Sequence, residues 1–137
     1  MNRFATAADE DLVIAAMYRM WSLNPSNQMV YTDETKALDY IRAACSGGRV
    51  MIVDETFAVM FDVGCMWYSS TPFLIEECLL RIKRNALPVE AAIVALDWLK
   101  DYYNCAMIVV GDTQLGVMTP HYIAAGYRHL GTQLIKD

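Results

Sequence analysis

FLIEECLLRIKRNALPVEAAIVALDWLKDYY, residues 73–103, is the stretch on which the fold turns. Phe73 to Ile82 alternates or runs apolar over the length of a strand. From Pro88 to about Tyr103 the period changes: Ala92, Ile93, Leu96 and Leu99 recur at helical spacing, Pro88 suits a first turn, and Glu90 lies near the positive end of the helix dipole. The next apolar stretch, Ala106 to Val110, is short and uniformly apolar, as a strand covered on both faces requires. Strand, helix and strand in this order predict an α/β (α+β) layered fold.

Upstream, Thr6 with Asp9 three residues on forms a capping-box pattern for a first helix, with Leu12, Val13, Ala15, Ala16, Met17 and Met20 at helical spacing to about Trp21. Asn24-Pro25-Ser26-Asn27 is loop chemistry. Asp33 caps a second helix bearing Ala37, Leu38, Tyr40, Ile41 and Ala44, which Gly47-Gly48 ends. Two helices thus precede any clear strand. Arg49 to Val53 and Phe57 to Tyr68 read as a hairpin about the turn Asp54-Glu55-Thr56, with a bulge expected near Gly64, and Ser69 to Pro72 breaks the pattern. Downstream, Asp112-Thr113 is loop chemistry. Thr119-Pro120 supplies an N-cap and a first-turn proline for a short helix ending at Gly126, and Arg128 to Ile135 reads as a last strand. No repeat or linker interrupts the chain, so one domain over 1–137 is expected.

The bulk properties narrow the function classes. The chain has 137 residues, 55% of them hydrophobic, and a formal net charge of −5. Its apolar runs break well before the roughly 20 residues a membrane helix needs, so no membrane span is expected. The opening residues MNRFATAADEDL lack the apolar core of a leader, which predicts a cytoplasmic protein. Arg81, Lys83 and Arg84 form too short a cationic cluster to follow a phosphate backbone, so nucleic acid is not an expected partner. Cys45, Cys65, Cys78 and Cys105 have no zinc-ligand spacing; no metal site is expected, and reduced, buried thiols are. Nine Met, eight Tyr, four Phe and three Trp supply extra apolar surface, for a ligand groove or for a protein partner or homo-oligomer.

The C-terminal half carries a family resemblance. Tyr122-Ile-Ala-Ala-Gly126-Tyr127, followed by RHLGTQLIKD, is similar to the Tyr-x-x-x-Gly-Phe segment that leads into the final strand of the GNAT (Gcn5-related N-acetyltransferase) superfamily. The order of elements also resembles that superfamily over nearly the whole chain. Leu80 and Ile93 fall at the two ends of its cofactor register, between which the family has an Arg/Gln-x-x-Gly-x-Gly/Ala loop. The resemblance implies a mostly antiparallel sheet flanked by about four helices and splayed beside its central strand. Acetyl-CoA would lie in that gap, Leu80, Arg81 and Ile82 on to Arg84 holding the pantetheine arm with their backbone. Asn85, Ala86, Val89, Glu90 and Ala91 would meet the pyrophosphate. The chain departs from the pattern there: the family's Arg/Gln falls on Asn85 and its glycines on Pro88 and Glu90. Proline has no N–H, and a side chain obstructs the approach of phosphate to bare amides.

Acyl transfer to an amine needs a base for the nucleophile and an acid for the departing thiolate. Tyr122 stands where family enzymes place a tyrosine acid; packing as a half-buried aromatic is the alternative. Glu76 and Glu77 are candidate bases beside the gap, where partial desolvation would raise a carboxylate's pKa. Neighbours on a strand face opposite ways, so at most one looks inward, and either could instead be a solvent-facing charge. His121 is a further candidate base, or a capping or surface residue. Met66, Trp67 and Tyr68 either shape an acceptor pocket or pack in the core. Neither the residues around Gly64 nor GDTQLG is a phosphate loop, lacking its lysine. Two classes remain: an acetyl-CoA-dependent N-acyltransferase, and a GNAT-fold interaction or structural module without cofactor. The second would look similar to the eroded GNAT-like domains encoded by tailed phages, with a virion or assembly role.

Overall fold

The structure is a computed structural model that describes residues 1–23, 33–111, 117–131, 134 and 136. Its strands are β1 (Asn2–Phe4), β2 (Val50–Val53), β3 (Phe57–Cys65), β4 (Pro72–Arg81) and β5 (Ile108–Val109), and its helices are α1 (Glu10–Leu23), α2 (Glu34–Ser46), α3 (Glu90–Tyr102) and α4 (Thr119–Ala124). The strands form one sheet in the order β1-β2-β3-β4-β5. All pairs are antiparallel except β4 with β5, which is parallel and crossed over by α3. This is the mixed, mostly antiparallel sheet with four helices that the sequence predicts.

The helices divide between the two faces. α1 and α2 bury Val13, Ala16, Met17, Ile41, Ala44 and Cys45 against Val50, Ile52, Met60 and Leu80 of the sheet. α3 buries Ala92, Ile93, Leu96 and Leu99 on the opposite face, against Val59, Phe61 and Leu74. Each fully buried Leu of that face contributes roughly 1.5–3 kcal/mol relative to exposure. The α1 stripe is narrower than the periodicity predicts, since Leu12 is exposed.

Local chemistry explains the element ends. Thr6 and Asp9 form the expected reciprocal capping box. Asp33 accepts the Lys36 N–H at 3.1 Å to start α2. At its end a side chain at Gly47 would meet the Ala43 carbonyl oxygen at 2.7 Å. In the β2–β3 hairpin Asp54 (φ 48°) and Glu55 (φ 53°) both take left-handed backbone, and Thr56 closes the turn with a 2.9 Å N–H bond to the Val53 carbonyl. Val53 pairs directly with Phe57, so the connection is the three residues Asp54-Glu55-Thr56, one of the short loop lengths that join antiparallel strands.

Six expectations are corrected. A strand, β1, precedes both helices; it exists because β2 offers an edge for Asn2–Phe4 to pair with. The bulge lies not at Gly64 but at the Met60/Phe61 step, where Met60 pairs with Cys78, Phe61 pairs with Glu76, and Glu77 is the extra residue. β3 ends at Cys65, so Trp67 and Tyr68 leave the sheet at 94% and 69% exposure, stacked edge-on to each other rather than packed in the core. Cys65 is exposed, not buried. Met118, not Thr119, occupies the cap position of α4, with Pro120 inside its first turn. Residues 128–131 carry no strand; 132, 133 and 135 of the expected last strand, and the loop segments Asn24-Pro25-Ser26-Asn27 and Asp112-Thr113, lie outside the described residues.

Candidate functional site

The sheet is open along one side of β4. β4 pairs with β3 along its whole length but with β5 only at Leu74 and Ile75 among the described residues. Glu76 is therefore the first β4 residue past the split, and α3 begins beyond the other end of the strand. Backbone direction follows from alternation. Ile82 donates its N–H to the Thr56 carbonyl at 2.7 Å, so Leu80 likewise faces β3, while Leu79 and Arg81 turn their N–H and C=O groups to the open edge. Of Leu80, Arg81 and Ile82, only Arg81 presents backbone to the gap, and Leu79, which the sequence did not single out, joins it.

The two candidate carboxylates separate, as alternation requires. Glu76, 8% exposed, lies on the α3/α4 face with its Oε2 accepting from the Tyr122 hydroxyl at 3.4 Å. Tyr122 is 4% exposed and its ring lies 5.2 Å from that of Tyr127. Gly126, at φ 97°, lets Tyr127 return an N–H to the Tyr122 carbonyl at 3.0 Å and so fixes the end of α4. The Tyr127 hydroxyl is buried without a hydrogen-bond partner among the described residues. Burial pushes that phenol up to about 12, with the Asp97 and Glu76 charges adding to the effect. Glu77, displaced by the bulge, is exposed and accepts from the Tyr40 hydroxyl of α2 at 2.7 Å. Tyr40 also lines an open hollow of about 490 Å³ on the α1/α2 face, together with Met17, Asp33, Lys36 and Met60.

At the start of α3 the arrangement opposes a pyrophosphate. Arg81 turns inward, donating to the Asn85 carbonyl (3.3 Å), the Asn85 Oδ1 (3.3 Å) and the Leu87 carbonyl (2.8 Å) with its guanidinium 4.5 Å from the Phe57 ring centroid. Asn85 Oδ1 also takes the Leu87 N–H (3.0 Å), and its Nδ2 donates to Thr56 Oγ1 (2.7 Å). Ala91 donates to the Pro88 carbonyl (3.2 Å) and Ala92 to that of Val89 (2.9 Å). Pro88 has no N–H, and Val89 takes the cap position without a side-chain cap. The Glu90 carboxylate is held below the usual range by His121, whose Nδ1 lies 2.6 Å away, and by its own backbone N–H. His121 is thus a partner of Glu90 rather than a cap. The residues that would cradle the pyrophosphate of CoA are tied to one another or carry negative charge; they do not fit it. Ala86, Lys83 and Arg84 are exposed, and a screened surface cation contributes about 1 kcal/mol or less to an ion pair.

No periodicity could have announced the His121–Glu90 and Tyr122–Glu76 contacts, which join positions far apart in the chain. Among the described residues no group of three or more His, Cys, Asp or Glu side chains could hold a metal ion, and no helix is long and apolar enough to cross a membrane.

The fold is that of GNAT-type acetyltransferases. The chain superposes over its whole length on BH1408 of Bacillus halodurans, a tetramutant structure, with TM-score 0.74, 12% identity and 99% of that chain covered. A predicted acetyltransferase of Clostridium acetobutylicum, solved with acetyl-CoA, matches at TM-score 0.71 and 17% identity, covering 100% of this chain and 95% of that one. The aminoglycoside N-acetyltransferase AAC(6')-Iy, in complex with CoA, matches at TM-score 0.69 and 10% identity, covering 100% and 93%. No family model and no curated protein matches the chain by sequence. These likenesses carry the fold; a phage origin or virion role draws no support from them.

Proposed function

We infer that the protein is a thioester-dependent N-acyltransferase, with the donor's pantetheine arm laid along the open edge of β4 and the acyl group at the split. The observation that carries this reading is the placement of Glu76 at the apex of the split with Tyr122 bonded to it. The Leu79 N–H and C=O and the Arg81 N–H would pair with the amides of the arm as a neighbouring strand does, the Arg81 carbonyl being held by Arg19 at 3.3 Å. The acceptor nitrogen attacks the thioester carbonyl, the C–N bond forms and the C–S bond breaks. Glu76 takes the proton the amine loses, and Tyr122 gives one to the leaving thiolate. The bond between the two returns the proton from Glu76 to Tyr122, so the cycle closes.

A second reading, a GNAT-fold interaction module without catalysis, is favoured by the Glu90–His121 pair at the phosphate seat. Thermal shift separates the two. A donor at 100 times its Kd should stabilise the fold by about 2.7 kcal/mol. Absence of any shift with millimolar acetyl-CoA and millimolar S-acetylpantetheine rejects the transferase; release of free thiol upon adding an amine rejects the module.

A further inference from the structure

The geometry points to a donor recognised by its pantetheine-type arm alone, the nucleotide of CoA adding nothing to binding. This rests on the acyl-transfer reading and narrows its substrate class. The two halves of the donor path differ in kind. Along β4 the open edge has no partner strand at Leu79 and Arg81 among the described residues, and although the Arg81 carbonyl takes Arg19 Nη2 at 3.3 Å, the Leu79 backbone and the Arg81 N–H suit the amides of pantetheine. At the end of that path the chain has closed on itself: Arg81 is bonded to Asn85 and Leu87, Asn85 Oδ1 takes the Leu87 amide, and Pro88 removes a donor. The Glu90 carboxylate sits on its own amide at the first turn of α3, against His121.

CoA brings a pyrophosphate and a ribose phosphate to this place, against Glu90 and a net charge of −5. Those phosphates meet repulsion where the amides of an open helix start would have given attraction. Pantetheine ends before that point and brings no charge. An arm on a phosphodiester brings a single charge where CoA brings several. Two sources supply such an arm: a small acyl thioester, or an arm esterified to a carrier protein.

Calorimetric titration of the full-length protein with CoA and with pantetheine tests the assignment. The expected result is that CoA binds no more than threefold more tightly than pantetheine; any larger preference for CoA overturns the proposal. Glu90→Gln is expected to shift the ratio tenfold or more toward CoA, and an unchanged ratio overturns the charge argument and the proposal with it. Absence of binding by both molecules removes the acyl-transfer reading as well, an outcome distinct from a preference for CoA. A carrier protein bearing the arm, with the bare carrier as reference, separates the sources. Binding tighter than free pantetheine supports the proposal with a carrier donor, and equal binding supports it with a small thioester.

Discussion

At the scale of single residues, the N-terminal cluster gives the clearest stability test. Arg3 holds Asp9 through two bonds (2.9 and 2.8 Å) and Glu55 through two more (2.6 and 2.9 Å), and Asp9 is only 6% exposed. Arg3→Ala leaves that buried carboxylate without its cation and should lower unfolding stability by about 2–4 kcal/mol, read as a lower urea midpoint at unchanged slope. The Thr6–Asp9 half of this cluster is written in the sequence as a capping box, because its partners are three residues apart. The Arg3–Glu55 half is not, because the β1–β2 pairing that brings them together is long-range. The same contrast governs the site. Tyr122 and Glu76 are recognisable one at a time, by their place relative to Gly126 and in the β4 stretch, whereas their contact exists only once α4 packs on the sheet. If the proposed chemistry holds, Tyr122→Phe should lower turnover by about 10²-fold or more with donor affinity nearly unchanged, since general-acid help is made in the transition state. Equal turnover in the phenylalanine variant would take Tyr122 out of the mechanism.

Among the elements, β4 and α3 are readable because each carries one dominant period, and the short α4 because its proline and Gly126 bracket it. β1 is too short to have a period, and the bulge has no signature because it depends on how β3 and β4 mesh. That bulge is nevertheless what assigns the two glutamates. With Glu77 as the extra residue, Leu74 and Glu76 look toward α3 and α4, while Cys78, Leu80 and Ile82 look toward α1 and α2. Without it Glu76 and Leu80 would share a face, and either the α1/α2 core would gain a carboxylate or the site would lose one. The end of α4 depends similarly on Gly126. A residue with a side chain is strained at φ 97°, although open space surrounds the position. Gly126→Ala should therefore cost about 1–2 kcal/mol through backbone strain alone, and should displace the Tyr122 hydroxyl from Glu76. The check is a pair of measurements on one variant, the unfolding midpoint and donor-dependent thiol release, with both expected to fall.

For the molecule as a whole, the ionisable groups set a stability plateau with two differently built edges. On the acid side, Arg3 and the Thr6 amide hold Asp9 down to about 2. Its folded value lies below its unfolded one, so the unfolded chain binds the extra proton and stability falls as pH drops from about 4 toward 2. Asp9 is buried, and its share of the loss is on the order of 1–2 kcal/mol. On the alkaline side the shifts run upward. Burial raises the Cys45 thiol to about 11 and the Cys78 thiol to about 12, the latter helped by the Glu76 and Glu77 charges, and burial raises the Tyr127 phenol to about 12. These groups stay protonated in the folded chain after their unfolded counterparts have lost their protons. The unfolded state is then the one that binds fewer protons, so stability falls as pH rises from about 9 through 11–12. Urea unfolding across pH 2 to 11 should accordingly give a plateau between roughly pH 4 and 9 with decline on both sides. Arg3→Ala should blunt the acid limb by relaxing Asp9 toward its ordinary value, and Cys45→Ala should make the alkaline limb shallower at the cost of a small cavity. An alkaline limb of unchanged slope in Cys45→Ala would show that this buried thiol does not ionise on unfolding as its surroundings require, and would shift that edge to the tyrosines.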